Sequence, residues 1–403
     1  MWYGQLVIGP PGSGKSSYCF GMQQMLDALG RRHIVVNLDP MNDLLPYKCD
    51  IDVMDLVKGE DVMNAHSLGP NGGKAYTSIY TRKYIHACNL TDVLRFAHSL
   101  LPLHFFTCDD LLAFLFTNYL PMIYCMEYLL ENVDWLVDKL KAFTNSYVLI
   151  DCPGQVELFT HHDALRAIIR HLERLDFRMT AVQVVDSTLC TDAFKHISAL
   201  LMSLNAQLQL ELPHINVLSK VDLLRLHRKD LRFRLEFYAD AYDVSALLQA
   251  MEDDPHPLGI QEESFVLFLA AATSCAWRFV QQKLLGFSRA VCELVEDFNL
   301  VSFLPVCVTD KECMLLVLRA ADAANGFAMG NYATNERGYP LQLDTEEERQ
   351  QMYASTSTRV LRPKRASNKT CSAWELMERL QEKYVDFDPE KDEAPIEEAT
   401  EAE

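Results

Sequence analysis

The stretch Gly9–Ser16, which reads GPPGSGKS, decides how the rest of this chain is interpreted. It fits G-x-x-x-x-G-K-[ST], the phosphate-binding loop (P-loop) of nucleoside triphosphatases. The apolar run Gln5–Ile8 predicts a buried strand before the loop. Ser16–Leu29 predicts a helix after it that ends at Gly30, because glycine is a common helix C-cap. A chance match would be a glycine turn beside a surface lysine, but the order of strand, loop and helix favours a phosphate site.

Each residue type in this loop has a physical reason to bind phosphate. The glycines allow the backbone to curl so that several N–H groups point at one anion, and the helix N-terminus adds partial positive charge. We expect Lys15 to reach the β- and γ-phosphates and the hydroxyl of Ser16 to ligate Mg²⁺. The predicted nucleotide-binding residues of the loop are Gly12, Ser13, Gly14, Lys15, Ser16 and Ser17.

Composition limits the range of functions. The chain has 403 residues, of which 49% are hydrophobic, so it can form one large α/β domain or two smaller ones. Its net charge of −19 argues against direct contact with nucleic acid, because the phosphates would be repelled. The twelve cysteines include no C-x-x-C pair, which indicates a reduced compartment and no zinc site.

Two segments bear on export and membranes. Met1 leads directly into the first predicted strand, so we expect no signal peptide. The most apolar stretch, Leu100–Met126, is interrupted by Asp109 and Asp110. Its uncharged part, Leu111–Met126, is shorter than the ~18 apolar residues that a spanning helix needs, so we expect no transmembrane segment.

Predicted strands alternate with helical patterns along the chain. After the first strand, further strands are predicted at His33–Asn37, Tyr147–Ile150, Thr180–Val185, His214–Leu218 and Val301–Pro305. Helical patterns include Tyr124–Leu140, Asp192–Leu204 and Arg289–Asn299. This alternation predicts an α/β fold, a predominantly parallel sheet with helices on both faces. In such sheets ligands bind beyond the C-terminal ends of the strands.

The segment Asp151–Gln155, which reads DCPGQ, follows the predicted Tyr147–Ile150 strand. D-x-x-G is the second marker of P-loop GTPases, in which the Asp holds Mg²⁺ through water and the Gly amide senses the γ-phosphate. The side-chain amide of Gln155 could orient the attacking water. Alone, D-x-x-G is weak evidence for a GTPase, but its position at the end of a strand, after a P-loop, makes that evidence stronger.

Ser219–Asp222, which reads SKVD, follows the predicted His214–Leu218 strand and is close to a third marker, [Asn/Thr]-Lys-x-Asp. The carboxylate of Asp222 would accept two N–H bonds from guanine, a pattern that adenine lacks, and the stem of Lys220 would cover the base. Ser219 departs from Asn or Thr but keeps a hydroxyl. The alternative is a charged turn after a strand; the motif favours GTP over ATP.

Two further strand-end features are ambiguous. Asp39 faces the same sheet edge and could bind Mg²⁺ or position water; the alternative is a loop Asp that caps a turn before Pro40. The run His161–Asp163 could suggest a metal or a catalytic histidine, but no further ligand is identifiable, so we interpret it as a helix start. The predicted magnesium ligands are Ser16, Asp39 and Asp151, and the predicted catalytic residues of these motifs are Asp39, Asp151 and Gln155.

The segment Gly69–Gly73, which reads GPNGG, by itself predicts only a turn. Together with Asn37–Pro40 and the D-x-x-G and SKVD segments, it resembles the GPN-loop GTPases, and within that family the branch of the second eukaryotic paralogue. The segments with the closer resemblance are Gly9–Ser17, Leu45–Tyr47, Tyr124–Tyr128, Leu212–Asn216 and Gln381–Tyr384.

The resemblance implies a dimer with the nucleotides near the interface. Gly69, Pro70 and Asn71 of one subunit would contact the phosphates bound by the other, and the Asn71 amide would act catalytically in trans, as an arginine finger does. The partners implied are a second copy or another GPN-loop GTPase, and subunits of RNA polymerase II and III, whose assembly and nuclear localisation the family serves. We therefore expect a cytoplasmic protein that can shuttle to the nucleus, with GTP or GDP and Mg²⁺ as its ligands.

Two stretches depart from the family pattern: residues 74–121 and residues 256–284. One hypothesis is that they are translated non-coding sequence from an incorrect gene model; the other is that they are inserted helices on the dimer surface. With these stretches inside it, we predict a P-loop GTPase domain over residues 1–327. A polar linker and an acidic, mostly disordered tail follow over residues 328–403, with a short helical pattern at Trp374–Tyr384.

Three functional classes share these features. The first is a switch that hydrolyses GTP, and the second is an assembly chaperone or adaptor that nucleotide stabilises and that turns over little. The third is a nucleotide or polynucleotide kinase, which would need an arginine-rich lid and an acceptor pocket. The SKVD segment argues against the kinase, and we favour the GTPase.

Overall fold

One parallel sheet organises the molecule. The computed structural model describes residues 2–42, 44–58, 122–143, 146–240, 244–252, 274–298, 301–327 and 373–386. The strands are β1 Trp2–Ile8, β2 His33–Asn37, β3 Ile51–Asp52, β4 Tyr147–Asp151, β5 Phe177–Asp186, β6 His214–Ser219 and β7 Phe303–Pro305. They lie in the order β3-β2-β4-β1-β5-β6-β7, and each neighbouring pair is parallel, as predicted.

Helices cover both faces of this sheet. The α-helices of the described residues are Lys15–Ala28 (α1), 122–131, Val133–Lys141, Glu157–Thr160, Asp163–Arg174, Ala193–Leu210, Leu235–Asp240, Ser245–Glu252, Ser274–Phe298, Lys311–Ala324 and Ala373–Leu380. Shorter 3₁₀ helices lie at Val53–Asp55, Ser187–Thr191 and Val221–Asp230, and a π-helical turn at Gln381–Val385.

The central strands are apolar without a break because both of their faces are buried. In β1, Leu6 and Ile8 pack into the core on one side of the sheet, whereas Val7 packs into the core on the other. The same alternation holds in β4, where Ile150 shares the first core and Leu149 the second. Successive side chains of a strand point to opposite faces, so one apolar run contributes to two cores.

The P-loop helix ends where the sequence predicts. Gly30 has a φ of 66°, in the left-handed region, and its N–H donates to the carbonyl of Asp27 at 2.9 Å. The N–H of Arg31 donates to the carbonyl of Leu26, also at 2.9 Å. These two bonds form a Schellman motif, which satisfies carbonyls that the helix end leaves open. The predicted helix end at Gly30 is confirmed, with Leu29 as the C-cap and Gly30 as the left-handed residue directly after it.

Two elements differ from the expectation. A seventh strand, Ile51–Asp52, is present where none was predicted. The single helix predicted over Tyr124–Leu140 is interrupted at Asn132. The Asn132 side chain donates to the Tyr128 carbonyl at 2.8 Å, a local bond that competes with continuation of the helix.

The end of the chain contributes to the domain. The helix predicted at Trp374–Tyr384 is present as Ala373–Leu380 with the π-helical turn after it. Leu376, Leu380 and Val385 are buried in the same core as the P-loop helix. Residues 373–386 therefore pack on the core of the predicted GTPase domain, whose bounds of 1–327 stay a prediction.

Several expectations fall outside the described residues. They include the Gly69–Gly73 loop, the stretch 74–121 and most of the apolar run Leu100–Met126. Of the stretch 256–284, residues 274–284 form the first part of the Ser274–Phe298 helix, which continues unbroken into the predicted Arg289–Asn299 segment. In the part of the chain that the structure describes, no helix combines the length and apolar character that a bilayer span requires.

Candidate functional site

The carboxyl ends of the central strands bring the predicted motifs together. Asp151, the last residue of β4, pairs in register with Val7 of β1 and with Asn37 of β2. On the other side of β1, Asp186 at the end of β5 pairs with Ser219 at the end of β6. The P-loop follows β1, so it lies between these two groups, as the parallel topology requires.

The P-loop depends on a glycine at its first position. Gly9 has a φ of 147°, and a Cβ there would lie 2.3 Å from the carbonyl oxygen of Val184. Gly12 and Gly14 also have positive φ, and Gly14 directly precedes the first residue of α1. The backbone thus turns sharply between β1 and α1 and directs the helix N-terminus at the loop, which suits an anion.

Lys15 begins α1 with its side chain folded back into the loop. It is buried, and its ammonium donates to the carbonyl of Pro10 at 3.1 Å. Burial lowers the pKa of Lys15, and the nearby carboxylates of Asp151 and Asp39 oppose that shift. The ammonium therefore sits in a low-dielectric site between the P-loop and two carboxylates.

Asp151 is the centre of a small hydroxyl network. Its Oδ2 accepts a hydrogen bond from the Ser16 hydroxyl at 2.8 Å and from the Tyr47 hydroxyl at 2.9 Å. Burial raises the pKa of Asp151 to about 6, although the bonds from Ser16 and Tyr47 lower it. The amide of Asn42 donates to the Ser16 Oγ at 3.4 Å. Sequence reasoning gave Tyr47 and Asn42 no role in the site; the only signal was Leu45–Tyr47 in the family resemblance.

These oxygens fit the magnesium that the sequence implies. Oδ1 of Asp151 is buried and, among the described residues, has no hydrogen-bond partner. That oxygen and Ser16 Oγ are hard donors, which suit Mg²⁺. The described residues contain no cluster of three His, Cys, Asp or Glu side chains. A site with one or two carboxylates agrees with Mg²⁺ held together with phosphate oxygens and water rather than by a protein cage.

Asp39 caps a turn and also faces the lysine. Its Oδ1 accepts from the N–H of Met41 at 3.0 Å, and its own N–H donates to the Asn37 side chain at 3.1 Å. Burial raises the pKa of Asp39, and the charge of Lys15 lowers it. The turn-capping alternative is therefore present in the structure, in the same neighbourhood as Lys15. Its role toward Mg²⁺ or water stays a prediction.

The D-x-x-G loop lies against the P-loop. A Cβ on Gly154 would lie 2.8 Å from Nζ of Lys15 and 3.1 Å from Cα of Pro11. Only a glycine allows the two loops to approach this closely. Gln155 follows it, partly buried, and its carbonyl accepts from the N–H of Leu158 at the start of the next helix. The role of Gln155 in positioning water stays a prediction.

Ser219 stands at the position where the usual third marker, [Asn/Thr]-Lys-x-Asp, has Asn or Thr. The residue is buried, and its hydroxyl lies 2.6 Å from the carbonyl of Ser13 and 3.0 Å from that of Val185. The hydroxyl therefore ties the SKVD loop to the P-loop and to the end of β5. A serine satisfies this requirement, so the departure leaves the loop intact.

Lys220 connects the predicted base loop with the phosphate loop. Its ammonium donates to the Gly12 carbonyl at 2.6 Å and to Asp186 Oδ2 at 2.7 Å. Lys220 has a φ of 58°, and the Val221–Asp230 3₁₀ helix begins directly after it. Asp222 lies exposed in the first turn of that helix. Lys15, Asp151 and the SKVD loop are therefore parts of one site.

A further loop at this edge was missed by the sequence reasoning. β7 pairs with β6, so the residues after it lie beside the SKVD loop. The N–H of Val306 donates to the Leu218 carbonyl at 2.8 Å, and the N–H of Val221 donates to the Val306 carbonyl at 3.4 Å. The sequence contained one indication of this loop, the predicted Val301–Pro305 strand. In a parallel sheet the carboxyl end of that strand lies at the same edge as the site.

Two other groups of predicted residues have plain outcomes. His162 is the N-cap of the Asp163–Arg174 helix, where its Nδ1 accepts from the N–H of Ala164 at 3.1 Å. The interpretation of His161–Asp163 as a helix start is confirmed. Gly69, Pro70 and Asn71 lie outside the described residues.

The fold and this site define a P-loop nucleoside triphosphatase. Comparison with solved structures agrees on the fold: the crystal structure of a GTPase in apo form from Pyrococcus abyssi has a TM-score of 0.50 and 18% identity. The match covers 80% of this chain and 97% of that one.

Comparison by sequence is more specific. Residues 7–89 and 120–327 match the model of a family described as "Conserved hypothetical ATP binding protein". GPN-loop GTPase 2 of Danio rerio is 40% identical over 329 residues, 82% of this chain and 82% of that protein. GPN-loop GTPase QQT1 of Arabidopsis thaliana is 38% identical over 81% of this chain and 86% of its own length. GPN-loop GTPase 2 of Schizosaccharomyces pombe is 37% identical over 87% and 91%. The chain belongs to the GPN-loop GTPase family.

Proposed function

We propose that this protein binds GTP with Mg²⁺ at the carboxyl edge of its sheet and hydrolyses it. The observation that carries the proposal is the convergence of the P-loop, the D-x-x-G loop and the SKVD loop. Lys15, Asp151 and Lys220 come from elements far apart in the chain and meet around one loop. The names of the relatives, which are GTPases, support the same activity.

The P-loop residues would bind and orient the triphosphate. The ammonium of Lys15 would exchange its bond to the Pro10 carbonyl for phosphate oxygens, and the amides at the start of α1 would bind the same anion. Ser16 and Asp151, with Asp39 as a further candidate, would hold Mg²⁺. When bound, Mg²⁺ neutralises charge on the β- and γ-phosphates. Gln155, which lies between Gly154 and the Glu157–Thr160 helix, would position the attacking water.

Base selection would fall to Asp222. The carboxylate can accept from both N–H groups on one edge of guanine, whereas adenine offers no such pair. Lys220 is anchored at both Gly12 and Asp186, so its stem bridges the phosphate loop and the base loop. This arrangement favours GTP over the ATP that the family description names.

We further propose that the protein acts as a homodimer, or as a heterodimer with another GPN-loop GTPase. Asn71 of one subunit would then contact the phosphates held by the other and stabilise charge that develops on the γ-phosphoryl. Assembly and hydrolysis would be coupled, because each site is incomplete without its partner. The support is the sequence GPN at residues 69–71 and membership of the family.

By the resemblance, the cellular role is assembly and nuclear localisation of RNA polymerase II and III. The partners would be subunits of those polymerases, and the location would be the cytoplasm with shuttling to the nucleus. The net charge of −19 supports contact with protein rather than directly with nucleic acid.

Nucleotide titration of Lys15→Ala tests the proposal. Wild-type protein should bind GTP and GDP in preference to ATP, whereas Lys15→Ala should lose nucleotide binding, because a buried cation is removed from the phosphate loop. Lys141→Ala is the matched control: Lys141 is an exposed lysine on another helix, so affinity should not change. GTP affinity equal to wild type in Lys15→Ala would refute the assignment. Measuring oligomeric state with each nucleotide tests the dimer in the same experiment.

The alternative is an assembly chaperone or adaptor in which GTP is structural. Binding of RNA polymerase subunits should then be equal in the GTP and GDP states, whereas a switch should bind them differently. A kinase would transfer phosphate to a nucleotide or polynucleotide acceptor. The first test for it is competition: ATP should displace GTP from a kinase but not from a GTP-selective protein.

A further inference from the structure

The C-terminal segment, residues 373–386, packs against the elements that carry the proposed base site. Leu376 and Leu380 are buried in the same core as Val221 and Leu224 of the 3₁₀ helix that begins at the SKVD loop. The π-helical turn Gln381–Val385 lies directly on that 3₁₀ helix. This segment is distant in sequence from the nucleotide motifs but adjacent to them in space.

One anchor lies at the far end of the base-loop helix. Gln381 is buried, and its Oε1 accepts from the backbone N–H of Leu235 at 2.8 Å. Leu235 begins the helix that follows the Val221–Asp230 3₁₀ helix, so its N–H has no partner within its own helix. Gln381 Nε2 in turn donates to Asp386 Oδ1 at 2.9 Å, which fixes the orientation of the amide.

A second anchor lies beside the SKVD loop itself. The hydroxyl of Tyr384 donates to Sγ of Cys307 at 3.7 Å. Cys307 directly follows Val306, whose carbonyl accepts from the N–H of Val221, the residue before Asp222. Tyr384 is therefore connected to the predicted guanine ligand through one side-chain contact and one backbone bond.

A third anchor lies in the middle of the segment, in the last turn of the Ala373–Leu380 helix. Arg379 forms ion pairs with Asp310, at 3.1 Å, and with Glu312. Asp310 also caps the Lys311–Ala324 helix by accepting from the N–H of Glu312 at 2.9 Å. Asp310 and Glu312 follow the loop after β7. All three anchors therefore contact elements on the side of the site where the guanine base would bind, and none of the three contacts the P-loop.

We propose that residues 373–386 position the SKVD loop and thereby set the selectivity for guanine. Gln381 and Tyr384 are positioning residues: they hold the elements on both sides of Asp222 so that its carboxylate faces the base. The inference depends on the proposed function, because it assumes that Asp222 reads guanine.

The experiment compares GDP with inosine diphosphate, which lacks the exocyclic amine of guanine. The ratio of the two dissociation constants reports how well Asp222 is aligned with that amine. A loss of folded protein lowers the active fraction but leaves this ratio unchanged. Inorganic tripolyphosphate is the probe for the phosphate loop alone.

Two variants test the positioning role. Gln381→Met keeps the side-chain length but removes the acceptor, and Tyr384→Phe keeps the ring but removes the hydroxyl. In each variant, GDP affinity should fall about tenfold and inosine diphosphate affinity about twofold. The preference for GDP over inosine diphosphate should therefore fall about fivefold, whereas tripolyphosphate affinity should not change. Glu382→Ala, an exposed residue of the same segment, is the matched control and should retain the wild-type ratio.

The outcomes separate this inference from the proposed function. Asp222→Ala should reduce the ratio to about one, because a single carboxylate makes the contact. No preference for GDP in the wild type, or an unchanged ratio in Asp222→Ala, would refute the guanine assignment itself. The positioning role would be overturned if Asp222→Ala lost the preference for GDP over inosine diphosphate while Gln381→Met and Tyr384→Phe kept the wild-type preference. If Gln381→Met does not fold, Tyr384→Phe alone decides, since it removes one atom from a partly exposed ring.

Discussion

Replacement of Gly154 by alanine should separate nucleotide binding from folding. The added Cβ would lie 2.8 Å from Nζ of Lys15 and 3.1 Å and 3.3 Å from Cα and N of Pro11. The lysine end can move, but it would then leave the position in which it serves the phosphate site. The Pro11 backbone can yield only by a shift of the P-loop. The φ of Gly154 lies outside the left-handed region, so the effect would come from the clash and not from backbone strain.

The magnitude follows from the cost of inserting one methyl group between two packed loops. Overpacking of this kind costs about 1–3 kcal/mol, which corresponds to a loss of about 5- to 150-fold in GTP affinity if the bound state bears the strain. Gly286→Ala is the control, since a Cβ at Gly286 has no described atom within 4 Å and lies in a helix. Titration calorimetry with GTP and Mg²⁺ measures both variants, and thermal unfolding checks that they fold. Wild-type affinity in folded Gly154→Ala would refute the contact between the D-x-x-G loop and the P-loop.

The other predictions concern stability as well as binding. Ser219→Ala should destabilise the protein by about 1–3 kcal/mol and weaken GTP binding, because the hydrogen bond to the Ser13 carbonyl is lost in a buried site. In urea unfolding, Ser219→Thr should behave like the wild type. A stability of Ser219→Ala equal to that of the wild type would contradict the contribution of this hydrogen bond. Burial lowers the pKa of His196 to about 4, and its neighbours Cys190 and Tyr238 have raised pKa values and stay neutral. The unfolded state therefore binds the extra proton as pH falls below about 6.5, so this histidine should cost about 2 kcal/mol of stability at pH 5 relative to pH 7.5. His196→Phe should reduce that difference in urea unfolding, and an unchanged difference would contradict a buried neutral imidazole.

Patterns that are local in sequence predicted most of the fold. The strand, P-loop and helix around Lys15 are predicted from adjacent residues, and the helix end at Gly30 follows from backbone geometry that few other residues adopt. The Ile51–Asp52 strand could not be read in this way, because two residues show no period. It pairs in parallel with β2, and the side chain of Asn37 in β2 donates to Asp52 at 3.0 Å.

The site was predicted where a motif marks it and missed where only the fold brings residues together. Asp151 belongs to a motif, whereas Tyr47, which binds the same carboxylate, lies 104 residues away in the chain and carries no signal of its own. Gln381 was recognisable only as part of a short helical pattern and of the Gln381–Tyr384 segment in the family resemblance, neither of which indicated a role. Its partner, the N–H of Leu235, is a backbone group 146 residues earlier, which no side-chain pattern could indicate.

The position of β1 at the centre of the sheet has a consequence for synthesis of the chain. This strand is synthesised well before its two neighbours, β4 and β5, which begin only at Tyr147 and Phe177. At typical translation rates, the delay before both partners exist is about 10–30 s. During that time Leu6, Val7 and Ile8 have no native strand to pair with. We therefore expect the nascent protein to need chaperone protection until β5 is made, and truncated chains that stop before it to aggregate.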